Sequence, residues 1–378
     1  MKNILIVFGT RPEAIKMVPL IKKLQKNSIF NAKVCVTAQH REMLDQVLDF
    51  FEIQPDFDLN IMSHNQTLTT ITNKILNGLD EIYKTYKPEI ILVHGDTTTA
   101  MVTAISAFYN KIKIAHIEAG LRTNNIYSPY PEEANRQIIS VLANYHFSPT
   151  ILTKQNLIKE NKNESEIMVV GNTVIDTLLD TISIINNNAD KKNKIIQEIS
   201  QEYNLSNKKF ILVTGHRREN FGQGFVNICE ALKKIALSHP NIDIVYPVHL
   251  NPNVQEPVNK ILNNLKNVFL IKPLKYENFV YLMSKCYFII TDSGGIQEEA
   301  PTFNKPVLLL RENTERPEAL NSGGVKLVGS NKELIVKSTN ELINNIDNIY
   351  KHMSNIENPY GDGKASEKII EFLRSKLI

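Results

Sequence analysis

Three carboxylates stand where acid–base chemistry would want them, each near the end of a short apolar run. Asp96 lies in His94-Gly95-Asp96-Thr97-Thr98-Thr99, Glu118 in His116-Ile117-Glu118-Ala119-Gly120-Leu121-Arg122, and Glu132 in Ser128-Pro129-Tyr130-Pro131-Glu132-Glu133-Ala134-Asn135-Arg136. A carboxyl at a strand end gives or takes a proton when its surroundings tune it. Two of them have a plainer reading as well. Asp96 could cap the helix after it, and Glu132 and Arg136, four positions apart, could form an ordinary ion pair on one helix face. His94-x-Asp96 and His116-x-Glu118 also resemble metal-ligand spacings, but no further His/Asp cluster completes a shell, so no metal is expected.

Other segments suit an anion. Gly9-Thr10-Arg11-Pro12-Glu13-Ala14-Ile15-Lys16 follows an apolar run. Its glycine permits a sharp turn, its proline suits a helix start, and Arg11 and Lys16 lie near that helix N-terminus. Neither GxGxxG nor GxxxxGK[ST] is present, so it is no dinucleotide fingerprint and no Walker loop. In Asp292-Ser293-Gly294-Gly295-Ile296-Gln297-Glu298-Glu299, the glycines allow close backbone approach and leave N–H groups for a diphosphate. Glu299, about one turn on, suits vicinal ribose hydroxyls; the alternative is a glycine-rich cap with a dipole-stabilising acid. His216, in Thr214-Gly215-His216-Arg217-Arg218-Glu219-Asn220, donates to phosphate, moves a proton near neutral pH, or is merely solvated. His249 is similarly placed but less distinctive, and Arg316 sits where it could clamp an anion. Pooled, these groups have the layout of a nucleotide-sugar enzyme that needs no obligatory metal or cofactor.

The elements that must position them follow from pattern. At roughly 100–200 residues per domain, 378 residues imply two domains. Strands are expected at 3–8, 33–37, 90–94, 113–117, 145–148 and 167–170, with helices near 12–26, 40–52, 67–86, 97–109, 132–143 and 150–160. Short β-branched strands separated by helices imply right-handed βαβ units and a mostly parallel sheet covered on both faces. The stretch 184–209, crowded with Asn, Lys and Ser, reads as a linker with weak helical regularity. Beyond it the alternation restarts, with strands at 210–214, 243–247, 268–271, 287–291, 306–310 and 325–328 and helices near 224–238, 255–265, 276–284, 295–302 and 331–351. A last helix, 363–376, follows a break at 358–363 and could return to the first domain. The expected fold class is α/β, with two Rossmann-like doubly wound domains facing a central cleft: residues 1–171 plus 362–378, carrying the acid–base carboxylates, and residues 172–361.

Composition excludes other classes. Hydrophobic residues at 42% and charged residues at 22% are those of a folded globular chain, not a disordered one. A net charge of +3, from 43 basic and 40 acidic residues, gives no general affinity for nucleic acid or membrane, while a small anionic ligand stays open. The longest apolar runs, such as 4–8 and 307–310, fall well short of the ~18 residues of a membrane span, and the opening run meets Arg11 without a cleavage-like segment. A cytoplasmic location is expected. Cys35, Cys229 and Cys286 are odd in number, far apart and outside any CxxC spacing, which argues for core thiols rather than disulfides or zinc.

The segments GTRPEAIKM (9–17), TAQHREMLDQVL (37–48), HGDTTTA (94–100), IEAGLRT (117–123), SPYPEEANR (128–136), TGHRREN (214–220), PVHLNPNV (247–254), TDSGGIQEEAP (291–301) and TERPEA (314–319) closely resemble the non-hydrolysing UDP-N-acetylglucosamine 2-epimerases of bacteria. The resemblance runs from residue 1 to YGDG (360–363) and beyond. It implies a glycosyltransferase-B type fold, with UDP held by the second domain and no cofactor. It assigns Asp96, Glu118 and Glu132 to the acid–base and sugar end, and His216 to catalysis or diphosphate contact. Charge stabilisation is assigned to Arg11, Lys16, Arg136 and Arg316, phosphate to Ser293, Gly294 and Gly295, ribose to Glu299, and uracil to Leu274 and Phe279. A second UDP-N-acetylglucosamine acts as activator in some members, near residues resembling Gln39, His40, Gln66, Arg217 and His249. A homodimer is typical.

The chemistry narrows the route. The C2 proton of the sugar is not next to a carbonyl, so UDP must leave before or with it, giving a 2-acetamidoglucal to which UDP and a proton return. Removal and return on opposite faces call for different acid–base groups. A hydrolysing relative that releases N-acetylmannosamine and UDP is the first alternative; a chain without the kinase domain of the bifunctional animal relatives favours the non-hydrolysing form. A glycosyltransferase would not need three acids near the donor C2, and a silent nucleotide-sugar sensor would not need to keep them. The expected partners are UDP-N-acetylglucosamine and UDP, with the product feeding surface polysaccharides.

Overall fold

Short runs of Ile, Val and Leu can bury both of their faces only in a sheet covered on two sides, and this chain builds two such sheets. The computed structural model describes residues 1–38, 41–63, 66–205 and 208–378. Contacts divide the chain into two units, Met1–Leu179 with Tyr360–Ile378, and Asp180–Pro359.

The first unit runs β1 (Lys2–Phe8), α1 (Arg11–Gln25), β2 (Phe30–Val36), α2 (Arg41–Phe51), β3 (Phe57–Asp58), α3 (Leu68–Thr85), β4 (Ile90–His94), α4 (Thr98–Tyr109), β5 (Lys113–Ile117), α5 (Glu132–Leu142), β6 (Tyr145–Ser148), α6 (Ile151–Lys159), β7 (Ile167–Val169) and into α7 (Thr173–Asn187). Its seven strands pair in the order β3-β2-β1-β4-β5-β6-β7, all parallel. The winding reverses between β1 and β4. Loops leaving the carboxyl ends of those two strands turn to opposite faces and open a crevice, which is where α/β sheets hold ligands.

The second unit follows with α8 (Ala189–Ser200), β8 (Phe210–Thr214), α9 (Gln223–Ser238), β9 (Asp243–Pro247), α10 (Pro252–Leu262), β10 (Val268–Ile271), α11 (Tyr276–Lys285), β11 (Phe288–Thr291), α12 (Gly294–Glu299), β12 (Val307–Leu309), α13 (Pro317–Asn321), β13 (Val325–Leu327), α14 (Lys332–Asn344) and α15 (Lys351–Ser354). Six parallel strands are ordered β10-β9-β8-β11-β12-β13, so the reversal here falls between β8 and β11. The last helix, α16 (Ala365–Leu377), belongs to the first unit. Asp176 accepts from the amides of Ala365 (3.1 Å) and Ser366 (2.9 Å), and the Phe372 ring stands edge-on to Tyr145 and Phe147.

Where the chain returns, the amide of Asn172 donates to the carbonyl of Tyr360 at 2.7 Å. Gly171 (φ +92°) and Gly361 (φ +122°) lie back to back: a Cβ on either would come within 3.2 Å of the other's Cα. Only glycine fits two left-handed backbones at that distance.

Several expectations are corrected. The 184–209 stretch is no linker, because α7 runs to Asn187 and α8 fills Ala189–Ser200. Asn186, Asn187, Asn188, Asn193 and Lys194 are exposed while Ile195, Ile199 and Tyr203, spaced by four, are buried, and Asn188 caps α8 by accepting from the Lys191 amide at 2.9 Å. The helix expected over 331–351 stops at Asn344, a π-helical turn occupies Ile346–Tyr350, and α15 resumes after it. Asn345, at φ −124° and ψ 57°, breaks the run. The helix expected over 295–302 is α12 followed by a 3₁₀ turn, Ala300–Phe303, entered through Pro301. Two short elements, β3 and α13, carry too few residues to show a period. All three cysteines are free and buried, and burial raises the Cys229 and Cys286 thiols to about 12. Among the described residues no helix is long and apolar enough to cross a membrane.

Candidate active site

In the first unit the two loops at the winding reversal are tied together by a residue the sequence reading passed over. Thr10 caps α1, with Glu13 completing the capping box. The buried Glu13 carboxylate accepts from the amides of Gly9 (3.1 Å) and Thr10 (2.9 Å) and, across the crevice, from the Thr97 hydroxyl (2.7 Å). Burial raises its pKa, and these hydrogen bonds oppose the rise. Gly9 is required here, since a Cβ would collide with the hydroxyls of Thr37 and Thr99, which bond each other at 3.1 Å.

Glu118 follows β5 in the left-handed region, φ +63°, a conformation that costs a non-glycine residue about 1–2 kcal/mol. Its Oε2 pairs with the Lys16 ammonium, accepts from Asn172 Nδ2 at 2.8 Å and lies 3.7 Å from His94 Nε2. His94 and His116 are both buried, and burial lowers each to about 4, so both imidazoles are neutral at pH 7. His116 Nε2 meets the Gly95 carbonyl at 2.7 Å and so supports the loop that carries Asp96.

Asp96 does not cap α4; Thr97 does. Instead Arg136 reaches Asp96 Oδ2 through Nε (2.9 Å) and Nη2 (2.9 Å), and Asn135 Nδ2 donates to the Asp96 carbonyl at 2.8 Å. The second arm of Arg136 goes to buried Glu133 at 2.6 Å, so the surface pair of Glu132 and Arg136 is replaced by an Asp96–Arg136–Glu133 chain. Burial pushes the Asp96 carboxyl above its ordinary value and nearby Glu118 adds to this, against the pull of Arg136 and Lys16. Burial would also raise Glu133, but the Thr123 amide, Gln137 and Arg136 outweigh it and hold Glu133 below its ordinary value. Glu132, first residue of α5, keeps Oε2 buried with no hydrogen-bond partner among the described residues. Arg11 is the first residue of α1 and partly buried.

In the second unit the corresponding crevice is organised by Asp292, another residue the sequence reading left without a role. Fully buried, its Oδ2 accepts from the backbone amides of His216 (2.8 Å) and Arg217 (2.8 Å), and so folds the loop after β8 against the loop after β11. His216 Nδ1 lies 3.7 Å from Asp292 Oδ1, and its ring stacks on His249 at 5.3 Å and 18°. Burial, with His249 and Arg217 adding, lowers the His216 pKa against the pull of Asp292. Arg217 is partly buried beside it. Ser293 is the N-cap of α12 without a side-chain cap bond, its own amide donating to Thr291 Oγ1 at 2.9 Å.

Arg316 is held in place by two acids: Nε donates to buried Glu298 and Nη1 to Glu315, each at 2.5 Å. Burial would raise Glu315, but Arg316 and then Arg311 draw it down to about 2. The guanidinium lies over Gly294, where a Cβ would stand 2.6 Å from Nη1. A Cβ on Gly295 would stand 3.2 Å from Glu299 Oε1, which places that carboxylate against the first turn of its own helix.

Among the residues singled out from sequence, the contacts thus join Lys16 with Glu118, Asp96 with Arg136, His216 with His249, and Gly294 with Arg316. Leu274, in the loop after β10, and Phe279, inside α11, are partly buried. Gln66 precedes α3; Gln39 and His40 lie outside the described residues. Among the described residues, no group of three or more His, Cys, Asp or Glu is arranged to hold a metal ion. Glu13 had a signal, the Thr-x-x-Glu spacing of a capping box; Asn172, Glu133 and Asp292 had none, since only the fold brings them to their partners.

Two doubly wound parallel sheets, one with paired acids and cations at its switch point and the other with a histidine and a glycine-led helix, define a two-domain α/β enzyme of the glycosyltransferase-B type. A family model described as UDP-N-acetylglucosamine 2-epimerase matches residues 22–374. The Campylobacter jejuni UDP-N-acetylglucosamine 2-epimerase is 62% identical over 373 residues, covering 98% of this chain and 97% of that one. The Escherichia coli K12 protein of the same name is 55% identical over 378 residues, 100% of this chain and 99% of its own. The crystal structure of the Neisseria meningitidis UDP-GlcNAc 2-epimerase bound to UDP-GlcNAc superposes with a TM-score of 0.89 at 51% identity, covering 99% of this chain and 100% of that one. The chain belongs to the UDP-N-acetylglucosamine 2-epimerase family.

Proposed function

We propose that this chain interconverts UDP-N-acetylglucosamine and UDP-N-acetylmannosamine without hydrolysis, by elimination of UDP and its re-addition. The observation that carries the reading is a pair of neighbouring acids at one crevice, each facing a cation: Glu118 the Lys16 ammonium, and Asp96 the Arg136 guanidinium, with burial raising the Asp96 pKa. Two acids within one site are what separate base and acid roles require. The Neisseria relative's bound UDP-GlcNAc supplies the substrate class.

One carboxylate takes the C2 proton as the C1–O bond breaks and UDP leaves with the electron pair, giving 2-acetamidoglucal. UDP then adds back to C1 while another acid returns a proton to C2 from the opposite face. Asp96, Glu118 and Glu132 are the acid–base groups of this proposal. The second unit contributes His216 at the leaving oxygen, Ser293, Gly294 and Gly295 at the diphosphate, Glu299 at the ribose, and Leu274 and Phe279 at the uracil. Arg11, Lys16, Arg136 and Arg316 stabilise the charge that grows on UDP. Gln39, His40, Gln66, Arg217 and His249 are the proposed contacts of a second, activating UDP-sugar. The enzyme acts as a cytoplasmic homodimer that supplies surface polysaccharide synthesis.

The test is a proton NMR time course with UDP-N-acetylglucosamine in D2O. A second intact UDP-sugar, with deuterium entering C2 of both sugars, is the expected outcome. Free N-acetylmannosamine and UDP would replace the proposal with the hydrolysing reaction, and unchanged substrate would remove it.

A further inference from the structure

Away from both switch points, the second unit has a cavity of about 410 Å³ at the amino-terminal ends of its strands. Its wall carries Lys208, Lys209, Lys285 and Lys305, together with the rings of Tyr281, Tyr287 and Tyr350, and no Asp or Glu among the described residues lines it. Lys209 and Tyr287 immediately precede β8 and β11, whereas His216 and Asp292 follow the same strands at the other end. The strands are parallel, so the cavity and the candidate active site occupy opposite edges of one sheet.

Four lysines lining one hollow concentrate positive charge, which is unfavourable unless a counter-charge joins them. Lys208 has such a charge, Asp243 at 3.6 Å. For Lys209, Lys285 and Lys305, no carboxylate lies within ion-pair distance among the described residues. The Tyr287 ring is already occupied, with the Lys209 ammonium over it at 4.2 Å and Tyr350 stacked on it at 4.7 Å. Tyr350 is further fixed by its hydroxyl, which donates to the Tyr287 carbonyl at 2.9 Å, and it is presented by the π-helical turn, a conformation that recurs at functional sites. The Tyr281 ring likewise has the Lys285 ammonium over it at 5.7 Å, and with these tyrosine faces taken the hollow recognises charge rather than a stacked base.

We propose that this cavity is a second anion site, which binds the phosphate or diphosphate group of a small soluble metabolite through Lys209, Lys285 and Lys305. Burial, with Lys285 adding, lowers the Lys305 pKa, which an anion would reverse. The volume is in the range of metabolite sites.

The probe is sodium pyrophosphate, titrated calorimetrically into the full-length protein at fixed ionic strength. The expected result is a binding event that weakens by roughly tenfold or more when two charge-assisted contacts are removed in a Lys209→Gln/Lys285→Gln variant. Neither residue belongs to the epimerase machinery, so turnover of UDP-N-acetylglucosamine by this variant stays at the wild-type level. Lys305→Met should weaken binding further. Should that partly buried change prevent folding, the exposed double variant decides alone. Equal pyrophosphate binding by wild type and double variant, or none by the wild type, overturns the proposal whether or not the protein epimerises its substrate.

Discussion

The carboxyl ends of the two sheets share a topology but place their buried charges differently. In the first unit, acids meet cations: Glu118 with Lys16, and Asp96 with an arginine that Glu133 holds from behind. In the second, the buried acid Asp292 meets backbone amides, and the arginine over the glycine-led helix is anchored by Glu298 and Glu315. Glu118 and Asp96, in the loops after β5 and β4, are the acids to which the proposal gives a proton-transfer role. A carboxylate that ties two backbone amides, as Asp292 does and as Glu13 does in the first unit, fixes a loop. Under the proposed function, the same winding reversal serves as a reactive edge in one unit and as a preformed cradle in the other.

The largest expected effect falls on the reactive edge. Glu118→Gln or Asp96→Asn should lower turnover by roughly 100-fold or more, as loss of an acid or base does. Full turnover in both variants, read from the NMR time course, would break the distinction.

Acid should separate the units next. His94, His116 and His146 are buried and lowered by that burial to about 4, 4 and 3, against an ordinary 6.5. An imidazole kept neutral by the fold contributes its stability in full above 6.5, and that stability is lost as pH falls towards the folded value, because the unfolded chain binds the proton first. The loss is on the order of a few kcal/mol per imidazole. All three lie in the first sheet. Hydrogen-exchange mass spectrometry between pH 7 and 4 should therefore show the first unit losing protection before the second. The reverse order would contradict it.

Asp292→Ala is the counterpart test on the cradle. It strands the amides of His216 and Arg217 and should lower unfolding free energy by roughly 2–4 kcal/mol in urea titrations. A change within experimental error would mean that the loop holds its shape without the carboxylate. The smallest effect is expected of Gly294→Ala, whose methyl would meet the anchored Arg316 and displace it or the helix start. The KM for UDP-N-acetylglucosamine should rise several-fold with kcat little changed, as for loss of a uniform binding contact. An unaltered KM would remove the diphosphate from that helix.

Much of the fold was legible because its strands are short, β-branched and fully buried, as in the all-buried β4, and such runs have one stable use. What escaped was what lacks a period or masks it. The Asn and Lys residues around α8 hid the spacing of Ile195, Ile199 and Tyr203, and the two-residue β3 has no pattern at all. At the candidate site, Asp96 and Glu118 were legible from their places just beyond β4 and β5. Their partners were not. Asn172 meets Glu118 across 54 positions, and Asp292 meets the His216 amide across 76, distances over which only the assembled sheet carries information. Glu133 stood beside Glu132 in sequence, yet which of the two faces Arg136 depends on where α5 begins.

Gly171 and Gly361 touch, and Gly363 backs onto the side chain of Leu179, so the chain quits the first unit and rejoins it at neighbouring points. In engineering terms, Asp180–Pro359 is an inserted domain whose flanking segments already meet, Asn172 at Tyr360 and Leu179 at Gly363. Closing such a gap is inexpensive, since loop entropy grows by only about 0.6 kcal/mol for each doubling of length. A short glycine–serine bridge in place of the insert would therefore yield the seven-stranded unit as a protein in its own right.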